Sequence, residues 1–130
     1  MTTTVDGLIT HPSPYTVPET LDRLEAILRA KNVKVFTRVD HGGEAEMVGL
    51  NMPSTQLLIF GNPKGGTPVM LSNPLSAIDL PLKALAWQDA QGKVWLTWTD
   101  PQYLKARYSL PDDVLGSIAA ATTLIQQAIT

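Results

Sequence analysis

The sequence predicts an α+β fold: a mainly antiparallel sheet of about five strands, two long helices on one face in the order β-α-β4-α, and short helical inserts. Two observations predict this class. An amphipathic helical pattern lies near each end of the chain, and short apolar or alternating runs bounded by turn residues fill the middle. Each helix needs an apolar surface to cover, and one face of a sheet supplies it for both. Residues 1–130 are expected to form a single domain, which is long enough to bury a core.

The N-terminal part of the chain predicts a strand followed by the first long helix. The strand covers residues 3–11, and Pro12 and Pro14 should end it because proline cannot donate to a β-ladder. Thr16 and Glu19 then form a capping box at the start of the helix. The buried side of this helix is predicted to carry Leu21, Leu24, Ile27 and Leu28.

The next segment predicts a second strand and leaves one element open. Residues 33–39 alternate as in a half-buried strand. Asp40 could cap a short helix that ends near Gly49, but Gly42 and Gly43 would each cost roughly 1 kcal/mol inside a helix. A short helix is favoured, and a loop is the alternative. Residues 56–60 are an apolar run that predicts an interior strand.

The second half of the chain predicts two more strands between short helices. Thr67 and Pro68 resemble a cap followed by proline at the first helical position, which predicts a short helix from there. Strands are expected at residues 82–88 and 94–98, joined by a hairpin turn. Asp100-Pro101 repeats the cap-and-proline pattern. The terminal helix should cover the sheet with a stripe of Val114, Ile118, Ala121, Ile125 and Ile129.

Composition and charge exclude several classes of function. The net charge is −2 and the ten Lys and Arg residues are scattered, so no basic stripe for nucleic acid is present. There is no cysteine for thiol catalysis or thiolate metal binding. The N-terminus lacks the pattern of a secretory signal and no window is apolar over the length of a bilayer, so a cytoplasmic protein without membrane contact is expected.

Candidate site residues occur at predicted strand ends and turns: His41, Asn62, Lys64, Gly66, Thr67 and Asp79. The backbone N–H groups at a helix start near Thr67, together with Lys64, could bind an anion or a carboxylate. The same glycines and Asn62 could equally form only a structural turn. His41 could act as a base or a ligand, or it could simply cap a helix. No metal site, cofactor or catalytic set is predicted, because no nucleophile, base and orienting residue can be named together.

Several short motifs carry a resemblance to a known family. They are Asp40-His41, Leu58-Ile59-Phe60-Gly61-Asn62-Pro63-Lys64, Gly66-Thr67-Pro68, Asp79-Leu80-Pro81-Leu82-Lys83 and Asp100-Pro101. With these motifs the chain resembles the domain of unknown function 302 family over nearly its whole length. The resemblance implies a fold similar to the TATA-box-binding protein, a β-α-β4-α arrangement, and a homodimer. It implies no activity.

Three functions follow from these observations as alternatives. The first is a dimeric module that binds a small molecule or an anion at the six candidate residues. The second is a structural or interaction protein, in which the motifs only shape turns and Trp87, Trp95 and Trp98 fill the core or a dimer interface. The third is an enzyme that uses His41 as a base.

Overall fold

The chain forms a five-stranded antiparallel sheet whose strands are connected by helices. The structure, a computed structural model, describes residues 5–130. The elements in chain order are β1 (Leu8–Ser13), α1 (Val17–Ala30), β2 (Lys34–Asp40), α2 (His41–Met47), β3 (Thr55–Gly61), α3 (Pro63–Ser72), a 3-10 helix (Pro74–Asp79), β4 (Leu82–Gln88), β5 (Val94–Thr99), α4 (Pro101–Tyr108) and α5 (Asp112–Gln127). This order confirms the predicted α+β class.

The strands lie in the order β1-β5-β4-β3-β2, with every neighbouring pair antiparallel. β4 is therefore the central strand, and β1 and β2 are the edges. The prediction that Pro12 ends the first strand is wrong, since β1 continues to Ser13 and Pro12 is paired opposite Trp95. An edge strand tolerates proline because one side of it has no ladder partner. The predicted start at residue 3 lies outside the described residues.

One face of the sheet and helices α1 and α5 enclose the main core. Thr16 caps α1 as predicted, because its side chain accepts a hydrogen bond of 3.2 Å from the N–H of Glu19. Both long helices contribute to one cluster of buried residues. Its fully buried members are Leu21, Leu24, Leu28, Leu58, Phe60, Ala84, Ala86, Leu96 and Ala128. The second face of the sheet contributes no residue to this core.

A second, smaller core lies where α3, α4 and α5 meet. It consists of Val69, Leu104, Tyr108, Leu110 and Ile118. The predicted stripe of α5 is partly confirmed. Ile118 and Ile125 are buried, whereas Val114 is only half-buried and Leu115 is buried in its place.

The short helix predicted after β2 is present as α2. The side chain of Asp40 accepts a hydrogen bond of 3.0 Å from the N–H of Gly43, and this cap outweighs the two glycines in the first turn. Gly49 then takes φ +79°, a conformation that favours glycine, and turns the chain away from the helix.

The predicted start of the third helix at Thr67 is wrong. α3 begins at Pro63, and Asn62 caps it by accepting a hydrogen bond of 3.0 Å from the N–H of Lys64. Asn62-Pro63 and Thr67-Pro68 both fit the pattern of a cap followed by proline, and the earlier pair starts the helix. Pro68 consequently lies inside α3.

Candidate functional site

A groove of about 760 Å³ lies between α3, α5 and the sheet. β2 and β3 supply its floor with Phe36 and Phe60, Val33 lies directly before β2, and the segment before β4 supplies Leu80 and Pro81. Its walls are α3 and the middle of α5. The groove therefore exists because three parts of the chain, far apart in sequence, meet at one end of the sheet.

The lining of the groove is mostly apolar and carries one charged side chain, that of Lys31. Lys31 follows the last residue of α1 and is exposed at the rim. Polar groups come from Asn62, Thr67, Ser117 and Thr123. A few polar groups placed around an apolar surface are typical of sites that bind small organic molecules.

The width of the groove depends on a close contact between α3 and α5 at Gly65. Gly65 is buried, and a Cβ atom placed on it would lie 2.8 Å from the Cβ and 3.0 Å from the Oγ of Ser117. The two helix backbones approach this closely only because Gly65 has no side chain. Both residues line the groove, so this contact sets the separation of its walls.

Three of the six predicted site residues line the groove: Asn62, Gly66 and Thr67. The backbone N–H groups of the predicted anion site are already used within the helix. Those of Gly65 and Gly66 donate to the carbonyl of Asn62, at 2.9 and 2.8 Å. Because α3 starts five residues earlier than predicted, these groups do not form an open cradle for an anion.

The other three predicted residues lie outside the groove. Lys64 is exposed on the first turn of α3. His41 is exposed at the start of α2, whereas Asn62 follows the opposite end of the β2–β3 pair, about 20 Å away along the strands. His41 does not line the groove, so the geometry gives no support for its use as a catalytic base.

Asp79 belongs to a polar cluster beside the second core. Its carboxylate accepts a hydrogen bond from the hydroxyl of Tyr108 and lies 3.3 Å from Nη1 of Arg107. The hydrogen bond to Asp79 raises the pKa of Tyr108 above its ordinary value, since ionisation would remove the donated proton. Asp79 also borders a second cavity of about 30 Å³ under α5, together with Trp98.

Most of the residues that form the groove are not among the predicted site residues. Lys31 is not among the predicted site residues, and the terminal helix was predicted only to cover the sheet. One signal was present, because residues 116–123 of α5 are all small except Ile118. Small side chains on one helix let a neighbouring element approach closely or leave space beside it.

Neither metal ligation nor membrane insertion is indicated in the described part. Residues 5–130 contain no group of three or more His, Cys, Asp or Glu side chains placed to hold a metal ion. None of the helices over the same residues combines the length and hydrophobicity needed to cross a bilayer.

Parts of longer bacterial proteins are similar to this chain. It is 49% identical over 104 residues to the protein named fluoride-specific ion channel FluC 1 of Brucella suis biovar 1 (strain 1330). The protein of the same name from Brucella abortus biovar 1 (strain 9-941) is also 49% identical over 104 residues. These matches cover 80% of this chain and only 41% and 38% of the relatives, so the chain spans about two fifths of their length.

The fold and the family are shown by two further comparisons. The crystal structure of an uncharacterized conserved protein DUF302 from Bacillus stearothermophilus superposes with a TM-score of 0.82 at 19% identity, covering 97% of this chain and 100% of that one. The profile of the family described as "Domain of unknown function DUF302" matches residues 9–129. The chain therefore belongs to the DUF302 family, as the motifs of its sequence predict.

Proposed function

We propose that the groove binds a small, largely apolar molecule that carries an acidic group at one end. The observation that supports this most directly is the composition of the lining, an apolar surface with the ammonium group of Lys31 as its single charge. This proposal keeps the predicted carboxylate ligand and moves its charged partner from Lys64 to Lys31.

The position of Lys31 favours an anionic group over a cationic or neutral one. Lys31 makes no ion pair within residues 5–130, so a ligand carboxylate would not compete with a protein carboxylate. A carboxylate held at the exposed rim keeps part of its hydration, and the apolar chain enters the groove. Each buried CH₂ group contributes about 0.8 kcal/mol, so the chain supplies most of the affinity.

A thermal-shift titration with two amphiphiles of equal chain length tests the proposal. Dodecanoate should raise the melting temperature, and dodecyltrimethylammonium should raise it less because its charge is repelled by Lys31. At a ligand concentration of 100 times Kd, the stabilisation is about 2.7 kcal/mol.

Two lysine variants make the test specific for the groove. Lys31→Gln should weaken binding of dodecanoate, and Lys64→Gln, an exposed lysine that does not line the groove, should leave it unchanged. If neither amphiphile binds, or if both lysine variants behave alike, the proposed site is wrong.

We also propose that two copies of the chain pair through the second face of the sheet. This face carries Leu57, Ile59, Leu85, Trp87 and Trp95, which alternate with the core-facing residues and belong to neither buried cluster. Trp87 stacks on Trp95, which is already buried, with ring centroids 6.2 Å apart. Leu57, Ile59, Leu85 and Trp87 are half-buried, and a second copy that presents the same surface would remove their exposed parts from water.

Light scattering after size exclusion tests the homodimer. The wild-type chain should elute as a dimer, and Leu85→Asp, at the centre of this face, should elute as a folded monomer. An exposed substitution away from the face, Gln102→Asp, should leave the dimer intact. A wild-type monomer at micromolar concentration contradicts the proposal. A dimer without any bound amphiphile would favour the alternative of an interaction protein.

A second candidate function follows from the similarity to the two Brucella proteins. We propose that the chain acts as a ligand-responsive module of a protein that conducts ions, since 104 of its residues match part of proteins bearing that name. The test replaces the matching segment of the Brucella suis protein with this chain and measures fluoride efflux from liposomes. A fluoride efflux that changes when dodecanoate is added supports the proposal. An efflux that is the same with and without the replaced segment, and with and without dodecanoate, overturns it.

A further inference from the structure

The indole N–H of Trp98 differs from those of the other two tryptophans. Trp98 is 3% exposed, and its Nε1 is the one buried side-chain nitrogen or oxygen of residues 5–130 without a hydrogen-bond partner in the protein. By contrast, Nε1 of Trp87 donates to the hydroxyl of Thr97 at 2.9 Å, and Nε1 of Trp95 donates to the carboxylate of Asp89 at 2.9 Å. Buried N–H groups are almost always paired, so Trp98 indicates a place for an acceptor.

Trp98 borders the small cavity of about 30 Å³ between β4, β5 and α5. The volume suits one water molecule or one terminal hydroxyl group. Other polar residues around the cavity are Asp79, Lys83, Thr99 and Thr122. The cavity is thus bordered by the residue with the unpaired indole N–H and by residues that carry acceptor atoms, Asp79, Thr99 and Thr122.

The small cavity adjoins the groove. Leu82, Ile118 and Ala121 line both, so the two spaces meet at these three side chains. Lys31 precedes β2 and Trp98 lies on β5. Three strand spacings therefore separate the two ends across the sheet. Trp98 is level with Leu58, whereas β2 starts opposite Gly61, so the ends are also offset by three residues along the strands, and the distance is about 17 Å. A medium-length extended chain covers a similar distance.

We propose that the small cavity is a polar subsite of the groove, which binds a neutral hydroxyl group at the far end of the ligand. The hydroxyl oxygen accepts from Nε1 of Trp98, and its proton is donated to the remaining lone pairs of Asp79 or to a threonine. The volume of about 30 Å³ suits a hydroxyl group better than the larger carboxylate, and the cavity is bordered by one acidic and one basic side chain, Asp79 and Lys83. The ligand class is thus an apolar chain with a carboxylate at Lys31 and a hydroxyl at Trp98, an inference that rests on the groove proposed above.

Binding of dodecanoate and 12-hydroxydodecanoate, measured by calorimetry, tests the subsite. The wild-type chain should bind the hydroxy acid three- to tenfold more tightly, the gain expected from one net hydrogen bond. Trp98→Phe should remove this preference, and the matched variants Trp87→Phe and Trp95→Phe should keep it, because their indole N–H groups already have partners.

The outcomes separate the two proposals. Equal binding of both acids by the wild-type chain overturns the subsite and leaves the groove intact, whereas no binding of either acid overturns both. If Trp98→Phe fails to fold, the indole region of a ¹H–¹⁵N spectrum of the wild-type chain decides. The resonance of Trp98 should move downfield with 12-hydroxydodecanoate and not with dodecanoate. A Trp98 resonance that responds identically to both acids refutes the subsite.

Discussion

Replacing Gly65 by alanine tests the packing that sets the width of the groove. The new Cβ would lie 2.8 Å from the Cβ of Ser117, which is anchored to the backbone of α5 and cannot rotate away. Helix propensity alone would make alanine more stable than glycine by up to about 1 kcal/mol. Overpacking of a buried contact costs about 1–3 kcal/mol. The net expectation is a loss of up to about 2 kcal/mol in the free energy of unfolding.

Gly116 provides the matched control for this substitution. It lies one residue before Ser117 on α5, it is exposed, and a Cβ placed on it meets no atom within 4 Å. Gly116→Ala should therefore show the helix-propensity gain alone, a stabilisation of up to about 1 kcal/mol. The two Gly→Ala substitutions then differ by about 1–3 kcal/mol, which is the cost of the contact itself.

Urea denaturation of a double-mutant cycle isolates the contact. Ser117→Gly removes the atoms that the new methyl group meets, so the double variant Gly65→Ala/Ser117→Gly should recover at least 1 kcal/mol relative to the sum of the single changes. The reasoning is refuted if Gly65→Ala stabilises the chain as much as Gly116→Ala does, or if the cycle is additive within about 0.5 kcal/mol.

Three further predictions concern the hairpin, the Asp79 cluster and the core. The hydrogen bond from Trp95 lowers the pKa of Asp89 below its ordinary 3.8, so its stabilisation is present at neutral pH and is lost as the pH falls through the lowered value. Asp89→Asn should lower the melting temperature at about pH 6. It should also reduce the fall of the melting temperature between about pH 5 and 2, the range in which carboxyl groups titrate. If the melting temperature of the variant depends on pH as that of the wild-type chain does, the prediction is wrong. The pKa of Tyr108 is raised above its ordinary 10.0, so the hydrogen bond to Asp79 stabilises the fold fully below pH 10.0, and this stabilisation is lost as the pH rises through the raised pKa. In an absorbance titration one tyrosine should therefore ionise at a higher pH than the others, and Tyr108→Phe should remove that phase. Leu58→Ala should lower the free energy of unfolding by about 2–5 kcal/mol in urea, because Leu58 is fully buried; a loss below about 1 kcal/mol would show that the site is not packed as described.

Helix caps could be predicted because they depend on a few neighbouring residues. Thr16, Asp40 and Asp100 each accept a hydrogen bond from the first turn of the helix that follows them. The third helix shows the limit of this local pattern. Asn62-Pro63 and Thr67-Pro68 are equivalent signals, and only the folded chain shows that the first of them starts α3.

The candidate site could be predicted only in part, because some of its residues are neighbours in sequence and others come together only when the chain folds. Asn62, Gly66 and Thr67 are close in sequence and line the groove together, because all three belong to the start of one helix. His41 lies at the other end of the same strand pair, and this depends on the length and register of β2 and β3. Lys31 and Ser117 reach the groove from two helices that meet only in the folded chain.

The sequence by itself determined the α+β class, the family and the two amphipathic helices, because hydrophobic period, turn residues and short motifs are local properties of the chain. The tertiary structure decided the strand order, the groove with Lys31 at its rim and the unpaired indole of Trp98. These features depend on which distant segments come into contact. Trp87, Trp95 and Trp98 have the same side chain, and only the neighbours across the sheet give two of them a hydrogen-bond partner and leave the third facing α5 without one.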